Sequence, residues 1–439
     1  MKYARKRLCN AAFNSLFLAI DGYVYPCCIN QKYKFGNYNN TSLTDIWNSS
    51  ELDNFRKEIL NNEFPIGCES CKNDLLNKQF SNSQIINYDN YIVNGSIKRL
   101  DFQISNICNL ACDMCTGILS STVAEQREKN TIKTNNNLFS EDLNYVLANL
   151  EEAFFSGGEP FLVKEYFKIW EYLILNNSKC KINIQTNGTV FNQNVKAILE
   201  HNKVNISFSI DSFNKDSYEK IRKNAVFSEV KTNFDNVLHL IGNNRLSIAA
   251  CIMKDNYLDV PEIIEFCQKN NIELFFNKVV LPGKNAIWTL NSIEILKIIN
   301  YFKSYKFKAK TNIQKNNLIM FTNHIKILEE WKLKSLAFET SKDEIIDHKI
   351  ISEIQSIIEK KIYQEIENSN CEDKSELNKL YHNFVEILNL MPNTTNKYGS
   401  LIIINNYKGN ELMSHLYRED NISLKVILNK ISMFYSVKK

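Results

Sequence analysis

Three cysteines on one short stretch constrain this chain more than any other feature: Cys108, Cys112 and Cys115, in Ser105-Asn106-Ile107-Cys108-Asn109-Leu110-Ala111-Cys112-Asp113-Met114-Cys115. The alternating apolar residues Leu100, Phe102 and Ile104 before them predict a strand, and Gly117 and a helical pattern follow. The thiols therefore belong to a loop leaving the C-terminal end of a strand, where barrel folds keep their chemistry. Three thiolates leave one iron of a cubane iron–sulfur cluster without a protein ligand, open to a substrate or cofactor. A zinc site and chance clustering are the plainer alternatives. Zinc favours paired CxxC knuckles closing a tetrahedron, and no histidine lies near the triad.

The rest of the chain alternates in a way that fits such a loop. Strand patterns at 97–105, 152–156, 181–185, 204–210, 246–253 and 272–280 are separated by helical patterns, which argues for parallel βαβ units. Beyond Leu281-Pro282-Gly283 apolar residues recur at helical spacing through 293–302, 325–336, 345–362, 377–390 and 424–434, with a short apolar run from Leu401 to Ile404 that predicts one strand. Residues 81–96 are polar and Asn-rich and read as a linker.

The first 80 residues carry a second cysteine pattern. Cys9 precedes a strand at 15–20, the turn Asp21-Gly22, a short strand at 23–25 and the pair Cys27-Cys28. An Asp-Gly between apolar runs is a hairpin signal, and it would bring Cys9 and Cys27 near each other. A Gly36-Asn37 pair, a helix capped by Thr41 or Ser42, a second helix around 52–60 and the knuckle Cys68-Glu69-Ser70-Cys71 complete the segment. Four thiols from a hairpin and a knuckle can saturate one metal centre, and such a site does not reveal from sequence whether it holds iron–sulfur or zinc.

The CxxxCxxC loop resembles that of the radical S-adenosylmethionine (SAM) enzymes, and the resemblance extends over about 97–283. It is strengthened by Gly157-Gly158-Glu159-Pro160 after the second strand, by Asn187 after the third, by Ser209 and Asp211 at the end of the fourth, and by Arg222. The resemblance implies an α/β fold with a partial (β/α)6 TIM-like barrel. It also implies a [4Fe–4S] cluster on Cys108, Cys112 and Cys115 whose open iron chelates SAM, and cleavage of SAM to a 5′-deoxyadenosyl radical. The Gly157-Gly158-Glu159 motif would hold the methionine amino group, Asn187, Ser209 and Asp211 would meet SAM or substrate, and Arg222 would lie near the SAM carboxylate. Taken singly, each of these polar residues reads as a cap, turn or solvated charge.

The N-terminal segment is similar to the twitch module, the shorter relative of the SPASM domain. That similarity implies a second, auxiliary [4Fe–4S] cluster on Cys9, Cys27, Cys68 and Cys71, with Cys28 as the alternative to Cys27. The module usually follows the barrel and here precedes it. The domain reading is thus 1–80 for the small α+β auxiliary module, 81–96 for the linker, 97–283 for the radical SAM core and 284–439 for a mostly helical region without a recognisable chemical motif.

Composition limits the partners. The chain has 53 basic and 49 acidic residues for a net charge of +4, which makes no electrostatic case for nucleic acid. No run of about 18 apolar residues predicts a membrane span. Twelve cysteines, eight of them at or beside metal-ligand spacings, suggest a reducing, cytoplasmic setting rather than a disulfide scaffold. Cys180, Cys251 and Cys267 read as buried structural thiols and Cys371 as a loop thiol. The expected reaction is SAM-dependent hydrogen abstraction from a peptide or small molecule, with an electron donor of the flavodoxin or ferredoxin type. The alternative is a non-catalytic iron–sulfur or zinc-binding scaffold whose helical C-terminus is the working surface.

Overall fold

The computed structural model describes residues 7–76, 83–128, 141–340, 345, 347–368, 374–392 and 394–405, and beyond these Leu412, Leu416, Leu424, Val426, Ile427, Leu428 and Ile431. Cys371 and the end of the pattern at 424–434 lie outside the described residues. The chain divides into two compact units, one of Met1–Cys108, Lys133–Ser209 and Ser228–Ser247, the other of Asn109–Ile132, Ile210–Phe227 and Ile248–Lys439.

The first unit is built on a sheet of β1 (Ser15–Ala19), β2 (Tyr23–Tyr25), β3 (Gly36–Asn37), β4 (Arg99–Gln103), β5 (Glu152–Phe155), β6 (Lys181–Thr186) and β7 (Val204–Ser209), in the order β3-β2-β1-β4-β5-β6-β7. From β4 to β7 all pairings are parallel, as the βαβ pattern requires. Gly22, at φ +83, turns the β1–β2 hairpin. What the pattern did not reveal is that β1 pairs in parallel with β4, from Ser15 against Arg99 to Ala19 against Gln103. The N-terminal hairpin thus extends the same sheet.

Alternation along the strands sorts side chains to two faces. Leu100, Phe102, Ala153, Phe155, Ile182, Ile184, Val204, Ile206 and Phe208 are buried on one, where Phe102 stacks on Phe155 at 4.7 Å. The other face carries a polar ladder across four strands. Arg99 donates to Asp101 (2.6 Å) and Glu152 (3.1 Å), Asn183 donates to Glu152 (2.7 Å), and Asn205 donates to Asn183 (3.1 Å). Such groups are tolerated inside a sheet structure because each finds a partner on the neighbouring strand.

The polar stretch read as a linker packs instead. Gln84–Tyr88 is a 3-10 turn with Ile85 and Tyr88 buried, and Asn14 Nδ2 donates to the Tyr88 carbonyl at 2.8 Å. Two apolar side chains among many asparagines were enough to anchor it.

The second unit holds most of β8 (Leu246–Ile252), its neighbour β9 (Glu273–Lys278) and the C-terminal helices Ser292–Ser304, Asn312–Thr340, His348–Asn368, Ser375–Leu390 and Thr395–Asn405. The strand expected at Leu401–Ile404 is part of the last of these. Leu401 and Ile404, three apart, are buried while Ile402 is exposed, so burial at helical spacing overrides the β preference of an isoleucine run. Among the described residues no helix is long and apolar enough to cross a membrane.

Candidate metal centres

Four N-terminal thiols are gathered in the first unit. Cys9, Cys27, Cys68 and Cys71 are free and half-buried, whereas Cys28 is exposed. Burial pushes all four up, Cys27 to about 11 and Cys68 to about 12. Mutual repulsion adds to this: Cys27, Cys71 and Cys68 raise Cys9, and Cys27 and Cys71 raise Cys68. Thiols that repel one another as thiolates form a donor set that a cation completes. Asn30, which sequence reasoning passed over, joins two of them. Its backbone N–H donates to Cys27 Sγ at 3.4 Å, and its Nδ2 donates to Cys68 Sγ at 3.3 Å and to the Ile66 carbonyl at 2.9 Å. The Ala11 N–H donates to Cys9 Sγ at 3.4 Å. Donors aimed at sulfur favour the thiolate, the ligating form.

The cysteine loop begins at the end of β4. In the first unit, Asn187 Nδ2 lies 3.8 Å from Cys108 Sγ. The glycine pair after β5 has a packing reason. Gly157 (φ +81) and Gly158 (φ +58) lie against the loop backbone, and a Cβ on Gly158 would stand 2.3 Å from the Ile107 carbonyl oxygen. Glu159 is fully buried, and its carboxylate accepts from Thr186 Oγ1 (2.7 Å), the Asn187 N–H (2.6 Å) and the Phe161 N–H (3.2 Å). Its visible work is to tie the ends of β5 and β6 together and to hold Asn187 beside Cys108. Ser209 closes β7 and is buried.

In the second unit the loop is stapled to the segment around Arg222. The Ala111 N–H donates to the Lys223 carbonyl (3.0 Å) and the Asp113 N–H to the Ile221 carbonyl (2.8 Å), while Asp113 pairs with Lys223 at 2.7 Å. These two backbone bonds flank Cys112 on one side and Arg222 on the other, and Arg222 Nη1 is 4.0 Å from Cys112 Sγ. Arg222 Nε lies 2.8 Å from Asp211 Oδ2, both residues being buried. Asp211 Oδ1 accepts from the Cys251 N–H at 2.7 Å, and Asn256 Nδ2 donates to the Asp211 carbonyl at 2.8 Å. Burial pushes the Asp211 carboxyl up, against the lowering by Arg222. Cys251 belongs to this group. Burial raises its thiol, followed by the charge of Asp211, with Cys112 and Cys115 also contributing. Cys180 and Cys267 are buried, as structural thiols are.

Arg127 is a second residue that the motifs did not reveal. Its Nη2 donates to the Cys112 carbonyl at 2.6 Å and reaches the Cys115 carbonyl at 3.5 Å, while Nε and Nη1 are buried without an acceptor among the described residues. Buried donors without acceptors beside a thiol-bearing loop fit an anionic group there, and three thiols within eight residues are the ligands an iron–sulfur cluster takes. Among the described residues no group of three or more His, Cys, Asp or Glu is arranged to hold a metal ion as it stands. The fit therefore rests on donor chemistry and on the orphaned guanidinium atoms.

Residues 102–267 match the model of the Radical SAM superfamily, and residues 9–72 match SPASM, an iron–sulfur cluster-binding domain. The chain thus carries a radical SAM domain with a SPASM-type iron–sulfur module ahead of it. These domains bring a [4Fe–4S] cluster, SAM and an auxiliary iron–sulfur cluster as cofactors. Among curated relatives, molybdenum cofactor biosynthesis protein 1 of Dictyostelium discoideum is 24% identical over 223 residues, 48% of this chain and 34% of that protein. GTP 3′,8-cyclase of Synechocystis sp. is 22% identical over 188 residues, 43% of this chain and 55% of that one. The matched stretch thus spans only a third to about half of these relatives. The crystal structure of Streptococcus suis SuiB bound to S-adenosylmethionine is 15% identical, with a TM-score of 0.37, over 61% of this chain and 65% of that one.

Proposed function

We propose that this protein is a radical SAM enzyme in which Cys108, Cys112 and Cys115 hold the SAM-binding cluster and Cys9, Cys27, Cys68 and Cys71 the auxiliary one. The observation that carries this is the three-thiol loop at the end of β4, seated on two glycines that admit no side chain and stapled to the Arg222 segment by two backbone bonds. A cluster held by Cys108, Cys112 and Cys115 would supply one-electron reductive cleavage of SAM and, through it, hydrogen-atom abstraction from the substrate.

The chain's own residues then have distinct tasks. Gly157 and Gly158 give the loop room, and Glu159 holds Asn187 beside Cys108. The Asp211–Arg222 pair fixes a guanidinium beside Cys112, where it would serve as the cation for the carboxylate of SAM. Ser209 is the remaining candidate for the ribose or substrate. Cys27, half-buried and acting on Cys9, is the auxiliary ligand rather than exposed Cys28. Residues 1–80 serve the auxiliary cluster and 97–283 the SAM chemistry, while within the region from 284 on the helices from His348 pack around a core of their own that includes Ile358, Ile362, Leu388 and Leu401. We take the substrate to be a peptide, on the resemblance of the N-terminal module, and the electron donor to be of the flavodoxin or ferredoxin type.

Metal content tests the ligand sets. Protein reconstituted and handled without oxygen is expected to hold about eight irons, and the Cys108/Cys112/Cys115→Ala variant about four. Zinc in place of the remaining iron in that variant would reassign the N-terminal set.

A further inference from the structure

Two guanidinium groups stand beside the cysteine loop, and they differ in how their charge is answered. Arg222 is paired with the buried carboxylate of Asp211. Arg127, just after the helix Ser121–Gln126, makes no ion pair with a described carboxylate; its Nη2 reaches the carbonyls of Cys112 and Cys115 instead. The adjacent Glu128 is turned to the loop instead, accepting from the Gly117 N–H at 2.8 Å. Nε and Nη1 of Arg127 are buried and find no acceptor among the described residues. A buried guanidinium with idle donors is costly unless an anion faces it. The carbonyls it does hold belong to two of the three proposed ligand residues.

We infer that Arg127 is a positioning residue of the SAM-binding cluster: it clamps the Cys112 and Cys115 carbonyls and lends the cluster on this loop a positive charge that no described carboxylate pairs with. The inference rests on the assignment of the cluster to that loop. Reduction adds one negative charge to a cluster already made anionic by its thiolates, so a fixed cation favours the reduced form and raises the reduction potential. Arg222, 4.0 Å from Cys112 Sγ, supplies less of this, because the Asp211 carboxylate beside it offsets part of its charge. Arginine suits the role because one guanidinium nitrogen, Nη2, reaches both carbonyl oxygens and leaves Nε and Nη1 free to donate, while its charge is permanent.

The test is an anaerobic redox titration of the reconstituted full chain, followed by the electron paramagnetic resonance signal that SAM perturbs. In Arg127→Met the ratio of reduced to oxidised cluster at a fixed potential should fall about tenfold, a shift of 59 mV for a one-electron couple. Arg127→Lys, which keeps the charge and loses the fork, should stay within about threefold of the parent. Equal ratios in parent and Arg127→Met, with iron loaded, overturn the inference. If Arg127→Met does not load iron, Arg127→Gln replaces it. If both uncharged variants fail to load while Arg127→Lys loads and titrates as the parent, the required charge is confirmed; if Arg127→Lys also fails to load, the charge is not what matters and the inference falls. Absence of any SAM-perturbed signal in the parent would instead refute the cluster assignment itself.

Discussion

Replacing Gly158 by alanine probes the contact on which the cysteine loop rests. Gly158 has φ +58, and a Cβ there would meet the Ile107 carbonyl oxygen at 2.3 Å and the Asn106 carbonyl carbon at 2.8 Å. Left-handed backbone costs a residue with a Cβ about 1–2 kcal/mol. The clash is with backbone rather than with the end of a flexible side chain, so the loop must move about 1 Å, a further cost of about 1–3 kcal/mol by analogy with overpacked cores. The sum of about 2–5 kcal/mol lies below the stability of an ordinary domain, so the variant folds and the damage falls on Asn106-Ile107, just before Cys108. Gly242→Ala is the control. Gly242 has φ +75 and ψ 169, a region nearly restricted to glycine, but nothing stands within 4 Å of a Cβ there. Its strain alone costs about 1–3 kcal/mol. Urea unfolding should show both variants destabilised. Iron should drop from about eight towards about four per chain in Gly158→Ala only. If the two variants hold the same iron and give the same SAM-perturbed spectrum, the loop does not depend on this contact and the reasoning is refuted.

Asp211→Asn should destabilise the protein by about 3–5 kcal/mol in urea unfolding, because it leaves the buried Arg222 guanidinium without its carboxylate; a change below 1 kcal/mol would mean that solvent reaches the pair. His324 is buried with Nε2 unpartnered among the described residues, and burial, with a smaller push from Lys278, lowers its pKa to about 3. Unfolded, it binds a proton near pH 6.5, so the unfolded state holds more protons between about pH 6.5 and pH 3, and stability falls as the pH drops through that window. Between pH 6.5 and 5 the loss is about 2 kcal/mol, and His324→Gln should remove it from the pH dependence of unfolding. Cys27→Ala should cost the auxiliary cluster its full iron while Cys28→Ala keeps it, as read by iron content; the opposite result would exchange their roles.

Strand positions were legible because buried strands announce themselves by run length and alternation. The patterns at 97–105, 181–185 and 246–253 became Arg99–Gln103, Lys181–Thr186 and Leu246–Ile252. The parallel pairing of β1 with β4 was not legible, since partner choice between segments some 80 residues apart is a tertiary fact with no local signature. Leu401–Ile404 misled because four apolar residues in a row satisfy either period, and only the core around Leu388 and Leu416 decides which faces are buried. Around the cysteines, the motif residues could be named but their work could not. Glu159 turned out to serve Thr186 and Asn187, and the residues that position the thiols, Asn30 and Arg127, are single polar side chains with no spacing rule. An asparagine three residues after Cys27 was the one available hint, being a residue type that caps and turns.

The most direct measurement of the central claim is the fate of SAM. Anaerobically reconstituted protein, given dithionite and SAM, should release 5′-deoxyadenosine. Cys112→Ala should abolish that release, and Cys68/Cys71→Ala, with its secondary structure intact, should retain it. A fully iron-loaded protein that leaves SAM uncleaved, or a Cys112→Ala variant that cleaves it as the parent does, would contradict the account.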